Sequence, residues 1–148
     1  MQKLERRDFL KTGCRACLLG AVTLTFGDLL LSSCGTPSKA FSADMNNNQV
    51  SVPLTLFATN DLQVVSPKHF EYEIAVRKKD NQYEALLMQC THQNNQLVRT
   101  GSGFYCSLHG SLFDQEGQVK KGPAERPLTR LHTEVVQDHL IIYINQKA

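Results

Sequence analysis

Two short stretches of this chain carry side chains able to do chemistry: Cys90-Thr91-His92 and Cys106-Ser107-Leu108-His109-Gly110-Ser111, separated by the thirteen residues 93–105. Each offers one sulfur and one nitrogen donor. A deprotonated cysteine is a soft metal ligand and a neutral imidazole a borderline one, so the four together suit zinc or iron rather than a hard cation. Two plainer readings compete: a single zinc ion, or a Cys90–Cys106 disulfide with the histidines left at the surface. Neither alternative accounts for Gly110-Ser111 after the second histidine or for Gly122-Pro123-Ala124 followed by Pro127-Leu128. His69, His132 and His139 have no comparable partner nearby in the sequence and read as ordinary loop or strand residues.

The elements that must position these groups are strands. From Gln49 onward, Val50, Val52, Leu54 and Leu56 alternate with more polar neighbours, as do Tyr72, Ile74 and Val76 with Glu71, Glu73 and Arg77, which is the period-2 signature of a half-buried strand. The charged run Lys78-Lys79-Asp80-Asn81 leads into Tyr83–Met88 and predicts a hairpin. Thr133–Val136 and Leu140–Ile144, flanking Asp138-His139, predict another. No segment of residues 49–148 has a helical period. Between the two β halves, residues 89–127 hold five glycines (Gly101, Gly103, Gly110, Gly117 and Gly122) and no long apolar run. An insertion of this kind buries little core of its own and commonly depends on a metal or a disulfide. Residues 35–48, rich in Ser, Asn and small side chains, have the composition of a flexible tether with a reach of about 20 Å.

The chain is 148 residues long with a formal charge of +2, enough for one small domain plus a leader. Residues 1–33 hold five Lys/Arg against Glu5, Asp8 and Asp28, whereas the remainder has eleven of each sign. The domain itself is formally neutral, so no bulk attraction for nucleic acid is expected. Glu5-Arg6-Arg7-Asp8-Phe9-Leu10-Lys11 resembles a twin-arginine export signal, with Glu5 in place of the usual Ser or Thr. Ala16–Gly27 is apolar over only twelve residues before Asp28, short of the roughly 20 that span a bilayer. That suits a signal core. Leu31-Ser32-Ser33-Cys34-Gly35 looks like a bacterial lipoprotein signal, in which Cys34 would carry the lipid; an uncleaved N-terminal anchor is the other reading. Cys14 and Cys17 match a CxxC spacing but sit within the leader and are not expected to do redox chemistry. The expected organisation is an export signal over 1–33, a lipid-anchored linker over 34–48 and a domain over 49–148.

The paired C-x-H and C-x-x-H-G-S loops, with Phe113-Asp114, the Gly117 turn and the Gly122-Pro123-Ala124 loop, resemble the Rieske iron–sulfur family over about residues 50–145. The resemblance implies an all-β fold, an antiparallel β sandwich with a loop-rich cluster-binding subdomain. It implies one [2Fe-2S] cluster, with Cys90 and Cys106 on the inner iron, His92 and His109 on the outer one, and Ser111 donating a hydrogen bond to sulfur. In Rieske subunits of cytochrome bc complexes each ligand loop has a further cysteine, and the two form a bracing disulfide; here those positions are Asn95 and Leu108. The tyrosine of that group is Phe113. Fewer donors to sulfur imply a potential below bc-type values. Twin-arginine export carries folded proteins with their cofactors, which agrees with a cluster assembled in the cytosol.

The expected role is one-electron transfer on the periplasmic side of a bacterial envelope, in a carrier or an electron-transfer subunit rather than a stand-alone enzyme. A cytochrome, a quinol-oxidising complex or a molybdenum subunit would be the redox partner, and the lipid the tie to the membrane. A ring-hydroxylating oxygenase, which needs a further large domain with mononuclear iron, is not expected at this length.

Overall fold

The computed structural model describes residues 39–147. The export signal and Cys14, Cys17 and Cys34 lie outside the described residues. In chain order these residues form β1 (Phe41–Ala43), β2 (Met45–Asn46), β3 (Gln49–Pro53), a 3-10 turn (Leu54–Phe57), β4 (Leu62–Pro67), β5 (Ile74–Lys79), β6 (Gln82–Leu87), β7 (Val98–Thr100), β8 (Gly103–Tyr105), β9 (Leu112–Asp114), β10 (Val119–Lys121), β11 (Arg130–Val136) and β12 (His139–Lys147). No α-helix occurs among them, and no helix there is long and apolar enough to cross a membrane. The all-β expectation holds.

Eight strands form one sheet in the order β1-β4-β5-β6-β11-β12-β3-β2, antiparallel except for the β1–β4 pair. Its two outermost strands are neighbours in the chain, with only Asp44 between Ala43 and Met45. The sheet is therefore rolled until its edges nearly meet. From Phe41 onward this corrects the tether expected over residues 35–48: Phe41, Ser42 and Ala43 pair with Val65, Ser66 and Pro67, and Met45 pairs with Val50. The polar composition of that segment hid Phe41, Ala43 and Met45, which pack on the core.

Both hairpins are present. Lys79 faces Gln82 across an Asp80-Asn81 turn in which Asp80 takes φ 55°, and Val136 faces His139 across Gln137-Asp138, where Gln137 takes φ 54°. The second turn thus falls one residue earlier than the sequence suggests. The alternation of Val50 and Val52 ends at Pro53, after which Leu54 and Leu56 lie in the 3-10 turn rather than in the strand.

Strands β4 to β6 are buried on both faces. Val65, Ile74, Val76 and Ala85 point into the rolled sheet with Val50, Val52, Leu140 and Ile142. Val64, Ala75 and Leu86 point outward into a second core with Met88, Leu97, Phe104, Phe113, Ala124 and Leu128. That second core lies beneath the expected insertion, which is itself a four-stranded sheet in the order β10-β9-β8-β7. Phe104 and Phe113 face each other across β8 and β9 and are both buried, and each contributes about 1.5–3 kcal/mol through burial. Gly103, at φ 152°, leaves room for this pair: a Cβ there would strike the carbonyl oxygen of Phe113. The insertion is also fastened laterally, because Arg77 on β5 donates to Glu116 at 2.7 Å and to Gln115 at 2.9 Å.

Candidate metal centre

The two ligand stretches close in the same way. Cys90 N–H donates to the Asn95 carbonyl at 2.8 Å while Asn94 N–H donates back to the Cys90 carbonyl at 2.8 Å; Cys106 N–H donates to the Ser111 carbonyl at 2.9 Å while Gly110 N–H donates to the Cys106 carbonyl at 2.9 Å. Four residues past each cysteine the backbone turns through positive φ, 54° at Asn94 and 80° at Gly110. Glycine and asparagine adopt that conformation at least cost. Each loop also rises from an antiparallel neck. Leu97 N–H bonds to the Met88 carbonyl at 2.9 Å beside a Gln89–Gln96 bridge, and Tyr105 faces Leu112 at the end of β8 and β9.

This geometry sorts the four donors by depth. Cys90 and Cys106 are free thiols with no exposed surface, set in the second core among Met88, Leu97, Phe104 and Phe113. His92 and His109 are exposed, and their rings meet edge to face with centroids 5.0 Å apart and planes at 85°. Leu108, beside His109, is 68% exposed. The sulfurs thus lie inside and the imidazoles at the surface, although the two loops that carry them are separated by thirteen residues in the chain. His69, His132 and His139 lie in a turn and on β11 and β12 instead, outside both ligand loops.

A third loop, Gly122–Pro127, is tied to both ligand loops. The Thr91 hydroxyl donates to the Arg126 carbonyl at 2.6 Å, and Ala124 N–H donates to Ser111 Oγ at 3.0 Å. Ser111 is fully buried. Its oxygen accepts from Ala124, which leaves the hydroxyl proton available for donation elsewhere. The sequence singled out Ser111 but not Thr91, whose partner lies 35 residues away and leaves no local signal. Below the second loop, Asp114 stabilises the turn into β10. Burial pushes its carboxyl up, but the N–H groups of Gln118 and Glu116 and the Lys120 ammonium at 3.1 Å together hold it below its ordinary value of 3.8.

The donor set fits a binuclear sulfur-bridged group. Among the described residues no three His, Cys, Asp or Glu side chains gather closely enough to hold one ion, which counts against the zinc alternative with its four donors on one metal. Two thiols in an apolar core and two imidazoles at the surface match instead the division of ligands in a [2Fe-2S] centre in which two histidines serve one iron. A further sign of a missing partner is Asn95 Nδ2, which is buried without a hydrogen-bond acceptor.

The family model for the Rieske [2Fe-2S] domain matches residues 48–137. The chain is 46% identical over 39 residues to cytochrome b6-f complex iron-sulfur subunit 2 of Trichormus variabilis, covering 26% of this chain and 22% of that protein. It is 33% identical over 69 residues to the mitochondrial cytochrome b-c1 complex subunit Rieske of Aotus azarae, covering 45% and 25%. The matches thus span about a quarter of the length of these curated relatives. Among solved structures, the cyanobacterial plasma membrane Rieske protein PetC3 from Synechocystis PCC 6803 is similar with a TM-score of 0.48 at 23% identity, covering 61% of this chain and 93% of that one.

Proposed function

The chain belongs to the Rieske [2Fe-2S] domain family, with one cluster per chain, and from that premise we propose that it transfers single electrons on the periplasmic side of a bacterial cell envelope, tied by its N-terminal region to the inner or the outer membrane. Cys90 and Cys106 would hold the inner iron, and His92 and His109 the outer one. When bound, the cluster takes up and gives back one electron, at a potential raised from about −400 mV in four-cysteine plant-type centres into the range of roughly −150 to +300 mV because uncharged imidazoles replace two thiolates.

The chain's own residues set the conditions for this role. The apolar surround of the two cysteines keeps water away from the sulfurs. The exposed edges of His92 and His109 offer a partner its shortest approach. Gly122–Pro127, held by Thr91 and Ser111, fixes the two ligand loops relative to each other, so little rearrangement accompanies a change of charge. The observation that carries the reading is the pair of buried free thiols beneath an exposed pair of imidazoles.

The placement outside the cytoplasm rests on Arg6-Arg7 with the short apolar core and on Cys34 in its lipoprotein-like setting. A second reading makes the chain the Rieske subunit of a quinol-oxidising complex. The b6-f and b-c1 subunits among its relatives favour that reading, and the absence of the bracing cysteines at Asn95 and Leu108 weighs against it.

Purified protein should contain two irons and two acid-labile sulfides and give a Rieske-type paramagnetic resonance spectrum on reduction; stoichiometric zinc without sulfide would refute the assignment. In cells, Arg6→Lys with Arg7→Lys should retain the protein in the cytoplasm, whereas Cys34→Ala should leave export intact and abolish fatty-acid incorporation. A wild-type protein that never incorporates labelled fatty acid would replace the lipid anchor with an uncleaved N-terminal one.

A further inference from the structure

Asn95 lies in the first ligand loop, where its carbonyl oxygen receives Cys90 N–H at 2.8 Å. Its side-chain Nδ2 is buried and has no hydrogen-bond partner. Native proteins keep few such groups, because an unmade buried hydrogen bond is costly. A bridging water would need two to four polar partners of its own. The buried residues on either side of it in the chain, Cys90 and Leu97, belong to a core of hydrocarbon side chains and two thiols. Neither thiol accepts from Nδ2, so the acceptor has to arrive with the group that the two thiols hold.

We propose that Asn95 Nδ2 donates a hydrogen bond to an inorganic sulfide of the [2Fe-2S] centre and thereby raises the reduction potential. The inference rests on the ligand set proposed for Cys90, His92, Cys106 and His109. Reduction adds one negative charge to the centre, and a donor aimed at sulfur stabilises the more negative state more strongly. Asn95 then restores part of the donor count that Phe113 lacks, from the position where cytochrome bc subunits have half of their disulfide. It acts as a positioning and tuning residue, since it ligates no metal.

The test uses the full-length protein with its cluster in place. A wild-type preparation lacking acid-labile sulfide would remove the ligand set itself, a failure distinct from any failure of Asn95. With the cluster present, pulsed paramagnetic resonance on reduced protein carrying ¹⁵N in its asparagine side chains should show a weak nitrogen coupling, lost in Asn95→Leu. The absence of that coupling in the wild type overturns the proposal. By voltammetry, Asn95→Leu should favour the oxidised state by about tenfold, a fall in midpoint of about 59 mV. A purely structural orphan predicts instead an unchanged midpoint with a higher melting temperature. Should Asn95→Leu fail to retain sulfide, Asn95→Met supplies an uncharged, adaptable side chain without an N–H donor: a lower midpoint supports the assignment, and an unchanged or higher one overturns it.

Discussion

Replacing Ser111 by alanine removes an acceptor and a donor together, and the structure lets their effects be separated. Ser111 Oγ receives Ala124 N–H at 3.0 Å, and both residues are buried. The substitution strands that N–H without water or protein to replace the oxygen, at a cost of about 1–3 kcal/mol. For a domain of about a hundred residues this lowers the melting temperature by roughly 4–8 °C per kcal/mol. The lost donor acts on a different quantity. If the hydroxyl proton points at sulfur, it favours the reduced state by an amount on the order of 1.4 kcal/mol, which is tenfold in the equilibrium constant and about 59 mV for one electron. Thermal melting and protein-film voltammetry on the same Ser111→Ala preparation read the two separately. A lower melting temperature with an unchanged midpoint would show that Ser111 only anchors Gly122–Pro127, and the assignment of its proton to the cluster would be abandoned. An unchanged melting temperature would refute the role of the Ala124 hydrogen bond.

Phe113→Tyr should raise the midpoint by a similar amount, because Phe113 is packed in the core that contains both cysteines; a buried hydroxyl without a sulfur acceptor would instead lower stability by about 1–3 kcal/mol and leave the midpoint unchanged. Gly103→Ala should lose the cluster sheet, since its Cβ would collide with the Phe113 carbonyl at φ 152°; limited proteolysis cutting within residues 98–121 is the expected readout, and resistance equal to wild type would contradict it. Asp114 has a folded-state pKa below its unfolded value of 3.8, so its contribution is complete above about pH 4 and is lost as pH falls through the folded value. Acid titration of stability should therefore be flatter in Asp114→Asn than in wild type, and parallel curves would refute the contribution of the Lys120, Gln118 and Glu116 contacts.

The sequence by itself determined the class of fold and nominated the candidate donor set. Cys90, His92, Cys106 and His109 could be recognised because each pair lies within four residues, and the β5–β6 and β11–β12 hairpins because alternation and charged turns are local patterns. Tertiary structure decided what depends on partners distant in the chain. Ala75 reads as a gap in the alternation of Ile74 and Val76, yet it is buried because β5 carries a core on each face. Residues 41–46 have the composition of a tether, and only pairing with β4 and β3 makes them strands. Thr91 reaches Arg126 and Ser111 receives Ala124 across 35 and 13 residues, separations over which no periodicity carries information. The exposure of the two imidazoles above two sealed thiols is likewise a property of how the loops stack. Burial is set by what packs from elsewhere in the chain, and a motif of six residues cannot encode its own surroundings.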